Sequence, residues 1–275
     1  MLVLGISSST AKHSVAVCED NKVLGEIFVG TPFRHAEYLP KALSEVLLYA
    51  ERKAAEVDVV GVDIGPGLYT GLRAGVAVAK AVCLALDKPV VPVPSLWALA
   101  YAGSRAVGEK LIAVVDARRK ELFWQVCPPS VDELADALAA YVSDWGASTS
   151  EEEIGLRLGK EEDLLAELSE LGPTAHQYAL LGEGAVVFRG RALATASKAG
   201  RKDLLSFLEA LRIIEVFKYP TASGVAECAS LLANAEPSLL LAPENVGAIY
   251  MRGPDANRPS ERRAEALVPS KIFFE

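Results

Sequence analysis

Residues 65–73 read GPGLYTGLR, and this stretch decides the fold expected for the chain. A short apolar run, residues 57–64, comes directly before it and predicts a buried strand. Residues 72–86 overlap the end of this stretch and contain no proline, which predicts a helix. The glycines therefore lie at a turn that leads from a buried strand into a helix.

This turn has two interpretations. Gly65 and Gly67 can adopt positive φ and Pro66 fixes its own φ, which suits a tight structural connection. Thr70 is placed to cap the helix by accepting a backbone N–H. Such a turn also presents N–H groups at the positive end of a helix dipole, where an anion can bind. The spacing favours a structural turn without a ligand, and the anion site is the alternative.

The helix after the turn is apolar on more than one face. Lys80 is the only charged residue between Arg73 and Asp87. A helix of this kind is buried on every side, either in the chain's own core or under a partner subunit. At about 17 residues it is short for a membrane span, and the flanking strands argue against one. Small residues at every fourth position would let another helix approach closely: Gly71, Gly75 and Ala79.

Composition limits the classes of function. The 275 residues carry a net charge of −8, which disfavours a stand-alone nucleic-acid binder. The four cysteines are far apart and lack the spacing of a metal site, which is typical of a reducing compartment. The N-terminus enters an apolar strand without a basic leader, so a cytoplasmic protein is expected.

Two polar residues invite a metal-site interpretation. His35 opens a helix, but the position four residues later, where a second ligand would be needed, is Leu39. Asp116 follows a buried strand and precedes another, so it either forms a hairpin turn or meets a metal or basic group. We therefore predict no metal site, with a cap or turn role for both residues.

The element order predicts a mixed α/β protein in two parts. Residues 2–6, 13–18 and 23–29 form strands around a hydroxyl-rich first bend. This opening resembles the phosphate-loop hairpin of the actin-like ATPase (ribonuclease H-like) fold, whose first bend normally carries an acidic residue where this chain has Ser7. A second polar hairpin at residues 111–127 suggests a second half built on the same plan.

The predicted domains follow from this order. Residues 1–103 form the first actin-like domain, with the partner-binding helices, and residues 104–252 form a second, smaller one. The last helix of the second domain has the option of packing back on the first. Residues 253–275 are charged and proline-rich, which predicts a poorly ordered tail.

The turn at residues 65–73 resembles the GPGSFTGLR signature of the TsaB family, also called YeaZ. His35 with Leu39 and Pro40 resembles the family's H…LLP helix start. The resemblance covers most of the chain up to residue 252, apart from residues 130–175. Three further stretches agree in order: the hairpin at 2–17, residues 115–118 with 121–124 (the family's IDAR and E-Y-W), and residues 243–252 (its P-x-Y-L-R end).

The resemblance implies a non-catalytic scaffold subunit for making threonylcarbamoyladenosine on tRNA. Such a subunit has an actin-like fold of two mixed sheets flanked by helices, with the second domain reduced. It pairs with its paralogue TsaD, which holds the metal and the active site, and the ATPase TsaE joins them. The resemblance implies no cofactor of its own, no membrane, and tRNA contact only through the complex. A homodimer without TsaD and a nucleotide at the TsaD interface remain open.

Two departures and two alternatives accompany this resemblance. The family often has Asp-Thr where this chain has Ser7-Ser8, and the absent second histidine excludes the metal pair expected of TsaD itself. One alternative is a nucleotide-dependent actin-like enzyme, a kinase or carbamoyltransferase, that uses Asp116 or Asp63 as acid and metal ligand. The other is a peptidase, against which stands the lack of an assembled Ser–His–Asp or metal set among three scattered histidines.

The predicted site has two parts and no catalytic residue. A bulky residue at position 75 is expected to impair pairing with TsaD. The signature turn and the start of its helix are shaped by Gly65, Pro66, Gly67, Thr70, Gly71 and Arg73. The partner interface is assigned to Leu39, Leu43, Leu47, Leu72, Gly75, Val76 and Ala79.

Overall fold

The computed structural model describes residues 1–30, 34–104, 110–127, 136, 139, 155–170 and 178–251 of the 275. The predicted tail at residues 253–275 therefore lies outside the described residues, as does most of the variable stretch between residues 128 and 154.

The first half of the chain builds a mixed sheet of five strands. They are β1 (Leu2–Ser7), β2 (His13–Glu19), β3 (Lys22–Val29), β4 (Val59–Gly65) and β5 (Val90–Pro94), in the spatial order β3-β2-β1-β4-β5. The first three strands pair antiparallel, whereas β1, β4 and β5 run parallel. The parallel strands are buried along their whole length, which explains their continuous apolar sequence.

Three helices follow strands β3, β4 and β5. Helix α1 (His35–Tyr49) connects β3 to β4 through a 3₁₀ turn at Ala54–Glu56, and α2 (Tyr69–Leu86) connects β4 to β5. Helix α3 (Ser95–Ser104) begins directly after β5 and packs against strand β6 of the second half. The two crossover helices α1 and α2 contact each other, so they form one layer beside the first sheet.

The second half repeats the same sheet. Its strands are β6 (Lys110–Arg118), β7 (Glu121–Val126), β8 (Arg157–Lys160), β9 (Tyr178–Leu181) and β10 (Arg212–Ile214). Their spatial order is β10-β9-β6-β7-β8, with the hairpin strands antiparallel and β6, β9 and β10 parallel. Strand for strand, this is the order of the first sheet, and every strand except β6 is shorter than its counterpart.

The helices of the second half are α4 (Glu161–Glu170), α5 (Glu183–Lys198), α6 (Lys202–Ala210) and α7 (Ala222–Ala235). Helices α4 and α5 pack on the second sheet, and α6 packs on α5. Short 3₁₀ turns follow α7 at Pro237–Leu239 and Pro243–Asn245. The predicted class, an actin-like α/β fold with two mixed sheets flanked by helices and a reduced second half, is confirmed.

Helix α7 belongs to the second half by sequence but packs on the first sheet. It lies against β1 and β4 at two glycines, because a Cβ on Gly5 would overlap the Ala222 carbonyl and one on Gly61 would lie 2.7 Å from the Cβ of Ala229. Ile6, next to Gly5, faces the other way, toward Gly75 of α2. Helices α2 and α7 therefore cover opposite faces of the first sheet.

Candidate functional site

The signature turn is built around the buried carboxylate of Asp63, near the end of β4. Its Oδ1 accepts hydrogen bonds from the Ser95 hydroxyl at 2.6 Å and from the Gly65 N–H at 3.1 Å. Its Oδ2 accepts from the Ser7 hydroxyl at 3.1 Å and from the Ser9 N–H at 3.2 Å. Each carboxylate oxygen thus holds one backbone N–H and one hydroxyl. These bonds tie together β1, β4 and the start of α3.

The two serine hydroxyls extend this network. Ser95 Oγ also lies 3.0 Å from the carbonyl of Pro66, in the turn itself. Ser7 Oγ lies 3.0 Å from the carbonyl of Pro220, just before α7. At the first bend of the chain, Ser7 thus supplies a hydroxyl to a carboxylate on the neighbouring strand β4.

The serine loop after β1 fills the space in front of the turn. The Leu68 N–H donates to the Ser9 carbonyl at 2.6 Å, and a Cβ on Gly67 would overlap that carbonyl. The Ser8 hydroxyl donates to the Gly71 carbonyl at 2.9 Å. The amide at the N-cap of α2 is therefore used by the protein itself, which favours the structural interpretation of the turn over the anion site.

The two glycines of the turn have different reasons to be glycine. Gly65 has φ of 104°, as predicted, whereas Gly67 lies outside the positive-φ region and is required by the close approach of Ser9. The prediction that Thr70 caps the helix is wrong. The N-cap residue is Leu68, without a side-chain cap, and Thr70 is an exposed residue of the first helical turn.

The assignment of the partner interface to seven residues needs correction. Leu43 is half-buried and the other six are buried in the chain's own core. A Cβ on Gly75 would overlap the Ser8 hydroxyl, so a bulky residue there would disturb the turn rather than isolate an interface. The apolar stripe seen in the sequence is the face that packs on the sheet. The buried members are Leu39, Leu47, Leu72, Gly75, Val76 and Ala79.

The opposite face of α2 is exposed and is nearly free of charge. We call it the α2 ridge, and its members recur at helical spacing: Tyr69, Arg73, Ala77, Ala81 and Leu84. Leu84 is 69% exposed, and Leu48 and Tyr49 at the end of the neighbouring helix α1 are each 73% exposed. Alanines at two central positions leave room for the backbone of another helix. The ridge was missed because both faces of α2 are apolar in sequence.

An aromatic and arginine cluster lies at the start of the ridge. The Arg73 guanidinium donates to the Tyr69 hydroxyl at 2.8 Å and lies over the Tyr69 ring, with its Cζ 5.3 Å from the ring centroid. The ring of Tyr250 lies 5.0 Å from that of Tyr69, tilted by 43°. The pKa of Tyr250 is raised mainly by its partial burial and also by the neighbouring Tyr69. Tyrosine and arginine are the residues enriched at the energetic centres of protein interfaces.

Helix α2 is, within the described ranges, the one helix long and apolar enough by composition to cross a membrane. Core helices of folded proteins share this composition. Six of its residues, among them Leu72 and Cys83, are buried in the chain. Its packing against the first sheet therefore accounts for its apolar sequence.

The residues considered for a metal do not assemble into a site. Within the described ranges, no group of three His, Cys, Asp or Glu side chains is placed to hold a metal ion. The Asp116 carboxylate accepts from the Arg118 N–H at 2.9 Å and from its guanidinium at 3.2 Å. Asp116 therefore holds the hairpin turn, as the turn interpretation predicts.

A second polar cluster, missed in the sequence, lies where the two halves meet. Glu183 is the first residue of α5, and its backbone N–H donates to the Lys218 carbonyl at 2.8 Å. Burial raises the pKa of Glu183, while nearby Arg118 and Lys12 act in the opposite direction. The same carboxyl and Tyr219 share a hydrogen bond. The loops of both halves thus converge on one half-buried glutamate.

Comparison with known proteins gives the family. The family model described as TsaD, tRNA N6-adenosine threonylcarbamoyltransferase, matches residues 32–241, about three quarters of the chain. An uncharacterized protein of Mycobacterium tuberculosis is 37% identical over 143 residues, covering 49% of this chain and 66% of that protein. The tRNA threonylcarbamoyladenosine biosynthesis protein TsaB of Escherichia coli is 27% identical over 125 residues, covering 45% of this chain and 54% of that protein.

The chain thus spans about half to two thirds of the length of these curated relatives. A solved structure from Pseudomonas aeruginosa, described as an uncharacterized protein with similarity to peptidase YeaZ, has a TM-score of 0.63 at 19% identity. That likeness covers 91% of this chain and 99% of the other, and it shows the shared fold. By its matching family model, and with curated TsaB relatives, the chain belongs to the TsaD (tRNA N6-adenosine threonylcarbamoyltransferase) family and, within it, to the TsaB/YeaZ proteins.

Proposed function

We propose that this chain is a non-catalytic subunit in the biosynthesis of threonylcarbamoyladenosine on tRNA, and that it pairs with a catalytic TsaD protein. The ATPase TsaE joins the pair, and the assembly works in the cytoplasm. The observation that carries the proposal is the exposed α2 ridge, in a chain whose family comprises the catalytic paralogue and whose named relatives are TsaB proteins.

The ridge has the composition of a helix-packing surface. Ala77 and Ala81 allow close approach of a partner helix, and the flanking Leu84 supplies apolar area that water would otherwise cover. Tyr69 and Arg73 form a preorganised polar and aromatic end. Helix α1 contributes Leu48 and Tyr49 beside it, because α1 and α2 pack together and both end where the parallel strands begin. This is the geometry from which two helix pairs assemble into a bundle.

The two carboxylates that an enzyme would need support the non-catalytic role. Asp63 is buried and accepts four hydrogen bonds from protein donors, and Asp116 is bound to Arg118. A metal-binding or general-acid role would require those donors to leave. The kinase or carbamoyltransferase alternative therefore needs a rearrangement of both halves of the chain, and the peptidase alternative needs an assembled nucleophile.

A reconstituted assay tests the proposal. Incorporation of label into tRNA from an activated, labelled threonylcarbamoyl donor is measured with the TsaD and TsaE proteins of the same organism, with and without this chain. We expect incorporation only when the chain is present, none from the chain alone, and loss of activity with Ala81→Arg on the ridge. Asp116→Asn is the matched test of chemistry, and it should retain activity within about threefold.

Two results would contradict the proposal. Threonine incorporation by the chain alone, or its abolition by Asp116→Asn while TsaD still associates, would support the enzyme alternative. Full activity of the Ala81→Arg variant would remove the ridge from the partner interface. Magnesium-dependent nucleotide turnover by the isolated chain would also favour the enzyme alternative.

A further inference from the structure

The turn between β6 and β7 concentrates positive charge in an acidic protein. Residues 118–120 read Arg-Arg-Lys, and all three are exposed with φ between 54° and 66°. Three consecutive left-handed residues turn the chain sharply, so the side chains of this basic turn project from one hairpin tip. The whole chain carries a net charge of −8, so the sign of this tip is opposite to that of the chain as a whole.

A second loop brings a further cation to the same place. Arg118 and Lys12 both lie close enough to Glu183 to favour its ionised form. Lys12 therefore adds a basic residue from the first half of the chain to the three of the basic turn.

From this arrangement we propose that the basic turn, Arg118 to Lys120, binds the phosphate backbone of the RNA substrate. The proposal rests on the function proposed above, because it names how the tRNA is held. Exposed arginine and lysine side chains are the groups that position proteins on phosphate backbones without reading sequence. An arginine guanidinium can also form paired hydrogen bonds with one phosphate. The turn itself carries no large apolar side chain, which a protein-binding centre would require.

The basic turn is placed to act beside the partner rather than under it. Strands β1 and β4 run parallel, so the loop that carries Lys12 and the start of the α2 ridge lie at the same edge of the first sheet. Lys12 in turn lies close to Glu183 and its neighbours. An RNA held across the basic turn would therefore lie next to the surface proposed for TsaD. This placement of the basic turn also explains how a chain with a net negative charge could contact RNA only as part of the complex.

The test compares two charge reversals of equal size in the assembled complex. Arg119→Glu with Lys120→Glu changes the basic turn, and Arg201→Glu with Lys202→Glu changes an exposed basic pair at the far end of α5. Helix α5 separates the two sites by about 24 Å, from its 16 residues. Binding of a fluorescent tRNA transcript to the complex with TsaD is measured by anisotropy at several salt concentrations.

We expect the turn variant to raise the dissociation constant at least about tenfold at 0.1 M salt and to lower the salt-dependence slope by about 2. The control pair should change the constant by less than about threefold. Equal effects of both variants would mean general charge repulsion and would overturn the proposal, as would no effect of either, or no binding by the wild-type complex. If the turn variant fails to fold, Arg119→Gln with Lys120→Gln is used with the same criteria.

Two further outcomes separate this inference from the proposed function. Loss of TsaD association in the turn variant, read by light scattering, would make the turn a protein contact and overturn the RNA proposal. If tRNA modification proceeds without this chain while the turn variant still weakens RNA binding, the proposed function fails and the inference survives. If the chain is required but RNA binding is unchanged by the turn variant, only the inference fails.

Discussion

At the scale of single residues, Asp63 gives the sharpest expectation. Each of its oxygens accepts one backbone N–H and one hydroxyl. The hydroxyls of Ser7 and Ser95 have other acceptors nearby, the carbonyls of Pro220 and Pro66, but the N–H groups of Ser9 and Gly65 donate to this carboxylate. In an Asp63→Asn variant, one of the two carboxylate oxygens is replaced by an NH₂ group. Whichever way the amide is turned, this NH₂ group faces a buried backbone N–H and leaves that N–H without an acceptor.

Asp63→Asn should therefore lower the free energy of unfolding by about 1–3 kcal/mol, the cost of one unsatisfied buried donor. Urea denaturation measures the change, and the exposed Glu209→Gln is the control, with a change within about 0.5 kcal/mol. An Asp63→Asn protein as stable as wild type would mean that the network does not hold the turn.

Two glycines predict opposite effects of the same substitution. A Cβ on Gly67 would overlap the backbone carbonyl of Ser9, which cannot rotate away, so Gly67→Ala should cost about 1–3 kcal/mol. A Cβ on Gly190, exposed in α5, meets nothing within 4 Å, so Gly190→Ala should stabilise by about 0.5–1 kcal/mol. Thermal unfolding of the two variants should shift in opposite directions. A shift of the same sign in both would contradict this packing.

The half-buried Glu183 predicts a pH dependence of stability. Burial raises its pKa above the usual value of 4.5, so the folded state binds a proton more tightly than the unfolded state. Glu183 therefore stabilises the folded state below pH 4.5, and this contribution is lost as the pH rises through the pKa of Glu183 in the folded protein. The groups that face it are Arg118, Asp116, Tyr219 and Lys12. The stability of Glu183→Gln relative to wild type should therefore increase from pH 4 to pH 7 in urea titrations. A difference that stays constant over this range would contradict the assignment.

The residue scale also shows what sequence patterns could and could not give. The turn between β4 and α2 and the positive φ of Gly65 followed from glycine and proline chemistry. The hydrogen bonds of Asp63 did not, because they join residues up to 56 positions apart in the chain. The α2 residues assigned to a partner face lie on the side of the helix that packs on the sheet, since periodicity identifies an apolar stripe but not what covers it.

At the scale of elements, the contact between α7 and the first sheet depends on small residues on both sides. Gly5 and Gly61 lie on β1 and β4, opposite Ala222, Ala226 and Ala229 at helical spacing. The Ser14 hydroxyl accepts from the Ala222 N–H at 2.7 Å and fixes the start of the helix. Larger side chains on the strands would push the helix away from the sheet.

Gly61→Ala should cost about 1–3 kcal/mol, because its Cβ would lie 2.7 Å from that of Ala229. Gly25→Ala, on the edge strand β3, is the matched control, because its Cβ would lie 3.5 Å from the nearest atom, an ordinary contact. Equal denaturation midpoints for the two variants would show that α7 does not need this close approach.

Elements of the second half were harder to predict than those of the first. Strand β8 is only four residues with a glycine inside it, and it lies in an acidic stretch that is helical from Glu161 onward. Strand β10 has three residues. Helix α5 has a buried stripe at helical spacing, formed by Ala185, Phe188, Ala192 and Ala196. Alanine is only weakly hydrophobic, so an alanine-rich stripe differs little from the other faces of the helix in the sequence pattern.

At the scale of the whole molecule, the same sheet topology occurs twice in the chain. The spatial orders of the two sheets correspond strand for strand, and loops of both halves meet at Glu183 and Pro220. The serine loop packs around Asp63 near the end of β4, and the α2 ridge is exposed on the outer face of α2. In the function proposed above, this chain contributes a binding surface and its catalytic paralogue carries out the chemistry.

The most direct test is the mass of an equimolar mixture of this chain with the TsaD protein of the same organism, read by light scattering during size-exclusion chromatography. We predict one species with the summed mass of both chains. Ala81→Arg should leave the two proteins separate, whereas Val216→Arg, at a position that is also exposed but lies in the second half, should pair normally. Wild-type proteins that elute separately, or an Ala81→Arg variant that pairs as well as wild type, would contradict the proposal.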